Sequence, residues 1–343
     1  MGDAVKQWVI SLGAGKDQRL LLEAIRRAGY FSWAFDKNPE AECRNLADQF
    51  KAYSNRDWQS ILMDVDPEKV AGVMAAGTEV PDVMALLGQR LGCPNIPPLV
   101  GVILKDKLLY KRALKAAGVP HTEAHEIQGG AVKALFDQLS YEVVVKPRVS
   151  SGSRGVFLNR HDPMGLVGQL ADSAEADHSW LIMERYQPGP EISAETLIWD
   201  GWAFNVAFVD RFYVSFGREV GGCSPSYWQK EEPAATKVIQ AAADALGIRR
   251  GTIKSDLVLT EKGPVIIELT ARLSGGPLSK IVEMSTGVDY FRQAVHIACG
   301  VEPDWLMLAP RRRERVALDM NGNPLSWDET REFIWREPGK CKT

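Results

Sequence analysis

Apolar positions in the first third of the chain fall into short runs, separated by stretches of helical spacing. Trp8–Leu12 is apolar and β-prone, and Gly13-Ala14-Gly15 turns the chain after it. Leu20–Ala28 repeats its apolar residues at helical intervals and stops at Gly29. Phe31–Phe35 reads as a second strand ending at Asp36, and Val70–Ala75 as a third. Pro81–Leu91 reads as a helix stopped by Gly92 and Pro94. Strands alternating with helices in this way predict parallel βαβ units.

The pattern changes after Asn95-Ile96-Pro97-Pro98, which marks a domain boundary. A helix is predicted from about Lys105 to Ala117, stopped by Gly118 and Pro120. β-rich stretches follow at Glu142–Lys146, Val156–Asn159, Trp180–Met183, Ile192–Ile198, Trp202–Val209 and Phe212–Phe216. Helices return at Ala234–Leu246 and Tyr290–Cys299, with strands near Ile253–Leu259 and Pro264–Thr270 between them. A last alternation, Val316–Met320, lies in a tail otherwise broken by Pro and Gly. The expected architecture is α/β. A Rossmann-like domain over residues 1–97 precedes a β-rich unit over 98–309, and 310–343 form a tail with a small β extension.

Composition narrows the function classes. Of 343 residues, 41 are Lys or Arg and 44 are Asp or Glu, a net charge of −3. No basic footprint for nucleic acid is present. No apolar run of about 18 residues suggests a membrane span. The five cysteines are widely spaced, with no CxxC pair or zinc spacing, so reduced cytoplasmic thiols are expected.

Two nucleotide motifs fail on inspection. Gly13-Ala14-Gly15 lacks the third glycine of a dinucleotide turn, because Gln18 stands there. Gly15-Lys16 is no P-loop, since Ile10 replaces the upstream glycine and Asp17 the hydroxyl residue.

The chemistry concentrates further on. Strand alternation puts Lys254 and Asp256 on one face, and Glu268 with Thr270 on one face of the next strand. A three-residue loop, Glu261-Lys262-Gly263, would set Thr260 opposite Pro264 and Asp256 opposite Glu268. Facing like charges repel unless a cation joins them, and Mg²⁺ takes one or two carboxylates plus phosphates. A wet outer face is the alternative for this pair. Arg272 keeps the same facing if the strand continues. Val143–Pro147 followed by Ser150–Gly155 reads as a strand running into a small-residue flap, with Lys146 pointing away from the core. Backbone N–H groups of such a flap can cover phosphates. Met183-Glu184-Arg185-Tyr186 with Gly189-Pro190-Glu191 is an apolar strand entering a bend. After a further strand, the polar, Gly-rich segment around Arg218 is a candidate for binding a substrate carboxylate.

Taken in order, these motifs resemble the ATP-grasp superfamily, carboxylate–amine ligase type, over essentially residues 1–300. Asp106-Lys107 through Gly118-Val119-Pro120 is similar to its first lysine segment. Ile267 to Leu273 is similar to its E-x-N-x-R signature, with Thr270 in place of the asparagine. The resemblance implies a two-lobed ATP-grasp unit using ATP and Mg²⁺, with Mn²⁺ as a substitute. It implies phosphate contacts from Lys107, Lys146 and the flap residues Ser151, Gly152, Ser153 and Gly155. Glu184, Tyr186 and Glu191 would hold adenine and ribose, and Asp256, Glu268 and Thr270 the metal. Arg272 and Lys146 would be catalytic, and Arg272 and Arg218 would meet substrate. The implied reaction joins a small carboxylate, such as an amino acid, to an amine through an acyl phosphate, releasing ADP. A thiol acceptor, an acyl-phosphate-forming kinase or a non-catalytic ATP-binding protein are alternatives. A homodimer is compatible with all of these.

Overall fold

The structure is a computed structural model that describes residues 7–127, 141–150, 152, 154–159, 181–216 and 218–334. Its N-terminal region holds a parallel sheet of β1 (Trp8–Leu12), β2 (Phe31–Phe35), β3 (Gln49–Lys51) and β4 (Val70–Met74), in the order β3-β2-β1-β4. α1 (Arg19–Arg27) buries Leu21, Leu22, Ala24 and Ile25, the residues its spacing placed on one side. α2 (Trp58–Asp64), α3 (Pro81–Arg90) and α4 (Pro98–Lys105) complete this layer. The turn after β1 is closed by protein. Gly15 N–H donates to Gln18 Oε1 at 2.7 Å, and Ala14 N–H donates to Asp36 at 3.0 Å. Gln18 therefore fills the turn that a dinucleotide motif would leave open.

The helix predicted from about Lys105 to Ala117 is present over Lys107–Ala116, and a separate helix before it ends at Lys105. Asp106 ends α4 and caps α5 (Lys107–Ala116), accepting from Leu108 N–H at 2.9 Å. A capping carboxylate satisfies N–H groups that the first turn leaves unpaired. Lys107 thus opens a helix rather than lying inside one.

β5 (Ala124–Ile127), β6 (Val143–Pro147), β7 (Phe157–Asn159) and β8 (Leu181–Arg185) form an antiparallel sheet in the order β5-β8-β6-β7. Ile127, Val143, Val145, Leu181 and Met183 make its small core. The larger sheet has the order β13-β12-β9-β10-β11-β14. Its strands are β9 (Glu191–Trp199), β10 (Trp202–Ser215), β11 (Arg218–Ser224), β12 (Gly251–Thr260), β13 (Gly263–Thr270) and β14 (Val316–Asp319). The two strands predicted over 202–216 are one. Asp210 and Arg211 looked like a polar break, but each is satisfied on its own face. Asp210 is buried and accepts from Ser226 Oγ at 2.5 Å and Tyr227 N–H at 2.8 Å, while Arg211 turns to the opposite side.

α6 (Glu232–Ala245) covers the sheet face bearing Ile192, Ala194 and Leu257. α7 (Gly276–Thr286) and α8 (Tyr290–Ala298) pack on part of the other face, around Leu197 and Val209. β14 pairs with β11, and α9 (Trp327–Ile334) stacks Phe333 on Phe212 at 5.5 Å. β13 and the segment after it have further backbone partners. Ile266 exchanges backbone hydrogen bonds with Pro120 and Thr122, and Leu273 with Ala75 and Gly77.

The link from β8 to β9 depends on Gly189, whose φ is 150°. A Cβ there would lie 2.2 Å from the Leu259 carbonyl oxygen. Gly189→Ala should cost roughly 1–3 kcal/mol of stability, read as an earlier urea midpoint with an unchanged slope.

Candidate active site

The β12–β13 hairpin sets the geometry. Its turn has two residues, Glu261 and Lys262, because Thr260 pairs with Gly263 and not Pro264. By itself that shortening would take Asp256 off Glu268. A bulge restores the pairing: the register runs Leu257–Ile266 and then Asp256–Glu268, leaving Ile267 without a partner in β12. The expected facing is correct, for a reason the residue pattern did not carry. The bulge also turns both Ile267 and Glu268 into the cleft, where alternation would have separated them.

The cleft between the two sheets encloses about 810 Å³, including the part open to solvent. Val144, Val156, Val258 and Ile267 give it apolar walls. Tyr186 lines it and packs edge-on against Phe216, with ring centres 6.1 Å apart. Lys107, Lys146 and Arg211 bring positive charge, and Glu184, Glu191, Asp256 and Glu268 bring carboxylates.

Asp256 is fully buried and accepts from Ser193 Oγ at 2.7 Å. Arg211 lies 2.9 Å away, and Lys254 is in direct contact. Burial would raise the Asp256 pKa, but Arg211 and Lys254 bring it down to about 2. Glu268 keeps 38% of its side chain exposed, and Lys107 stands 3.7 Å from it. Burial opposes ionisation there too, and Lys107 and Lys254 hold the carboxyl below its ordinary range. Both acids are carboxylates at neutral pH.

On the smaller sheet, Lys146 reaches Glu184 at 2.8 Å, and Lys111 reaches the same oxygen at 3.1 Å. Thr122 Oγ donates to the other oxygen at 2.7 Å. Against its burial, the two ammonium groups keep Glu184 below the usual carboxylate range. Glu184 lines the cleft but is 3% exposed, so its carboxylate is spent on the lysines. Glu191 accepts from Tyr213 at 2.8 Å, with Arg211 at 3.7 Å.

The flap is anchored at its root. Arg148 pairs with Asp106 at 2.5 Å and with Glu126 at 2.6 Å, and Lys107 Nζ donates to the Ser150 carbonyl at 2.5 Å. Gly152 and Gly155 have φ of 65° and 68°. Ser151 and Ser153 lie outside the described residues.

Three expected residues, Arg218, Thr270 and Arg272, lie off the lining of the cleft. Arg218 is exposed and does not line the cleft; Arg211, seven positions earlier, takes the inward place. Thr270 is buried and its hydroxyl donates to Glu79, which comes from the segment before α3. Arg272 donates to the same carboxylate at 3.1 Å. Lys254, Lys111 and Glu79 escaped the sequence reading of the site. Lys254 was visible in the alternation with Asp256; Glu79 gave no local signal.

A sequence profile for the ATP-grasp domain matches residues 104–276. The chain belongs to the ATP-grasp family. Mouse (Mus musculus) carnosine synthase 1 is 23% identical, over 90% of this chain and 41% of its own length. Protein y4rH of Sinorhizobium fredii is 26% identical, over 67% of this chain and 49% of its own. The chain thus spans about half the length of these curated relatives, or less. Among solved structures, the L-amino acid ligase of Bacillus licheniformis superposes with a TM-score of 0.73 at 20% identity, covering 91% of this chain and 79% of that one. This ATP-grasp chain therefore has the α/β architecture expected of it, with the lobes on either side of the cleft. Among the described residues, no helix is long and apolar enough to cross a membrane, and Cys43, Cys93, Cys223 and Cys299 are free thiols.

One more buried acid lies on the cleft face of β9. Glu195 pairs across the ladder with Lys254, and one of its oxygens has no hydrogen bond. Burial pushes its pKa from 4.5 up to about 7. The folded state therefore binds this proton more tightly than the unfolded chain. Stability from this group is full below about pH 4.5 and is lost as pH rises through 7. Urea titrations across that window should show Glu195→Gln removing this part of the pH dependence.

Proposed function

We propose that this protein is an ATP-dependent carboxylate–amine ligase that releases ADP and works through an acyl phosphate. The reading rests on one observation above all: Lys107, Lys254 and Arg211 gather around the Asp256–Glu268 pair, with Lys146 on Glu184 at the same apolar-walled cleft. Cations suit a polyphosphate, and the walls with Tyr186 suit a base. Lys107 and Lys146 would bind phosphates, with Gly152 and Gly155 of the flap over them. Tyr186 would pack on adenine, and Glu191 would accept from ribose hydroxyls. Glu184 acts through Lys146, since its oxygens are already engaged.

The donor set fits a magnesium ion. Among the described residues, no three His, Cys, Asp or Glu side chains could hold a metal. Two ionised carboxylates face each other instead, and Mg²⁺ characteristically adds phosphate oxygens and water to one or two carboxylates. Glu268 would hold Mg²⁺, or Mn²⁺ in its place, and Asp256 would join it by exchanging Arg211 or Lys254 for the ion. The bound ion supplies neutralisation of phosphate charge. Thr270, with its hydroxyl on Glu79, leaves those two carboxylates as the protein's share.

In the reaction proposed, a carboxylate oxygen of the acid attacks the γ-phosphorus, and the bond to ADP breaks. The amine nitrogen then attacks the acyl carbon, phosphate leaves, and the amine loses a proton. Arg272, oriented by Glu79, would neutralise charge on the acyl phosphate. The names of the relatives, a carnosine synthase and an amino acid ligase, favour an amino acid or related acid as substrate. The free thiols favour the cytoplasm.

The assay is ADP release in Mg²⁺ over a panel of acids and amines, with mass detection of the product. Release should require both an acid and an amine, and Asp256→Ala and Glu268→Ala should each abolish it while the fold is kept. No release with any acid would remove the ligase reading. The engagement of Thr270 favours one rival, a non-catalytic nucleotide-binding protein. That rival predicts ATP binding without turnover, and no gain of activity from Thr270→Asn.

A further inference from the structure

Lys111 lies in the middle of α5 and is 1% exposed. Its ammonium meets acceptors from three separate segments. Glu184 on β8 is 3.1 Å away, the Ile267 carbonyl on β13 is also 3.1 Å away, and the Thr122 hydroxyl is in contact. A buried lysine is a costly way to fill space, and an apolar side chain of similar volume often does as well or better. Burial brings its pKa down to about 8 even with Glu184 alongside.

The acceptors explain the choice. Ile267 is the extra residue of the β12–β13 bulge and has no partner in β12. Its part-buried carbonyl gains a donor only by reaching across to α5, and a polar group left without one is costly, so an unsupported bulge would tend to slip. Slipping by one residue would take Glu268 off Asp256. Glu184, the second acceptor, is the anion that fixes Lys146 at 2.8 Å.

We infer that Lys111 is a positioning residue that ties the two walls of the cleft together: through Ile267 it holds the bulge that sets Glu268 on Asp256, and through Glu184 it holds Lys146. This rests on the nucleotide–metal reading above. Lys111 is not among the residues lining the cleft, so it acts only through these partners.

The test measures the affinity of ADP with and without excess Mg²⁺ in the full chain, together with the melting temperature. Wild type should bind ADP more tightly with Mg²⁺. Lys111→Met should lose about 10-fold or more of that enhancement, as residues supporting metal ligands commonly do. A purely structural role would lower the melting temperature and leave the enhancement at its wild-type value; that result overturns the inference. Should Lys111→Met fail to fold, Lys111→Gln takes its place, since it keeps an amide donor on α5 and leaves Glu184 paired with Lys146. It should lose the same enhancement, and an enhancement at the wild-type value overturns the inference. If wild type gains nothing from Mg²⁺, the metal reading falls and the inference with it. If wild type gains and Lys111→Met gains equally, only the inference falls.

Discussion

The cleft depends on keeping carboxylates ionised where water is scarce. Asp256 and Glu184 are almost wholly buried, and each is compensated by two cations from other positions. Taking one partner from a buried ion pair costs about 3–5 kcal/mol, because the remaining charge is stranded. These clusters therefore fix one arrangement of the strands that carry them. The Asp256 cluster joins β9, β10 and β12, and the Glu184 cluster joins α5, β6 and β8. The cost of burying so many charges makes sense if a highly charged ligand uses them.

The third position along β13 shows how the N-terminal region enters this scheme. Glu79 takes both the Thr270 hydroxyl and the Arg272 guanidinium, and the backbone at Ala75 and Gly77 pairs with Leu273. An acid from outside the two lobes thus holds the arginine that follows β13. The lining of the cleft comes from the lobes alone, whereas Arg272 is held by the N-terminal layer.

Much of this was legible in the sequence, because the deciding signals were local. Alternation in Val143–Pro147 put Lys146 on the cleft side, and the βαβ rhythm gave the parallel sheet. The Asp256–Glu268 pairing was read correctly through a wrong turn length, since nothing in Val265-Ile266-Ile267 announces a bulge. What could not be read joins distant residues: Glu79 and Thr270 are 191 positions apart, and Lys111 and Ile267 are 156 apart. Arg211 was hidden differently. Beside Asp210 it looked like a strand break, because the pattern could not show that each face had a partner waiting.

If Asp256 and Glu268 form one cation site, a crystal structure of the protein with ADP and Mn²⁺, with the metal located by its anomalous scattering, should show a manganese peak bonded to both carboxylates and to a phosphate oxygen. ADP seated with its phosphates away from that pair, or a metal bound to neither carboxylate, would contradict a shared site.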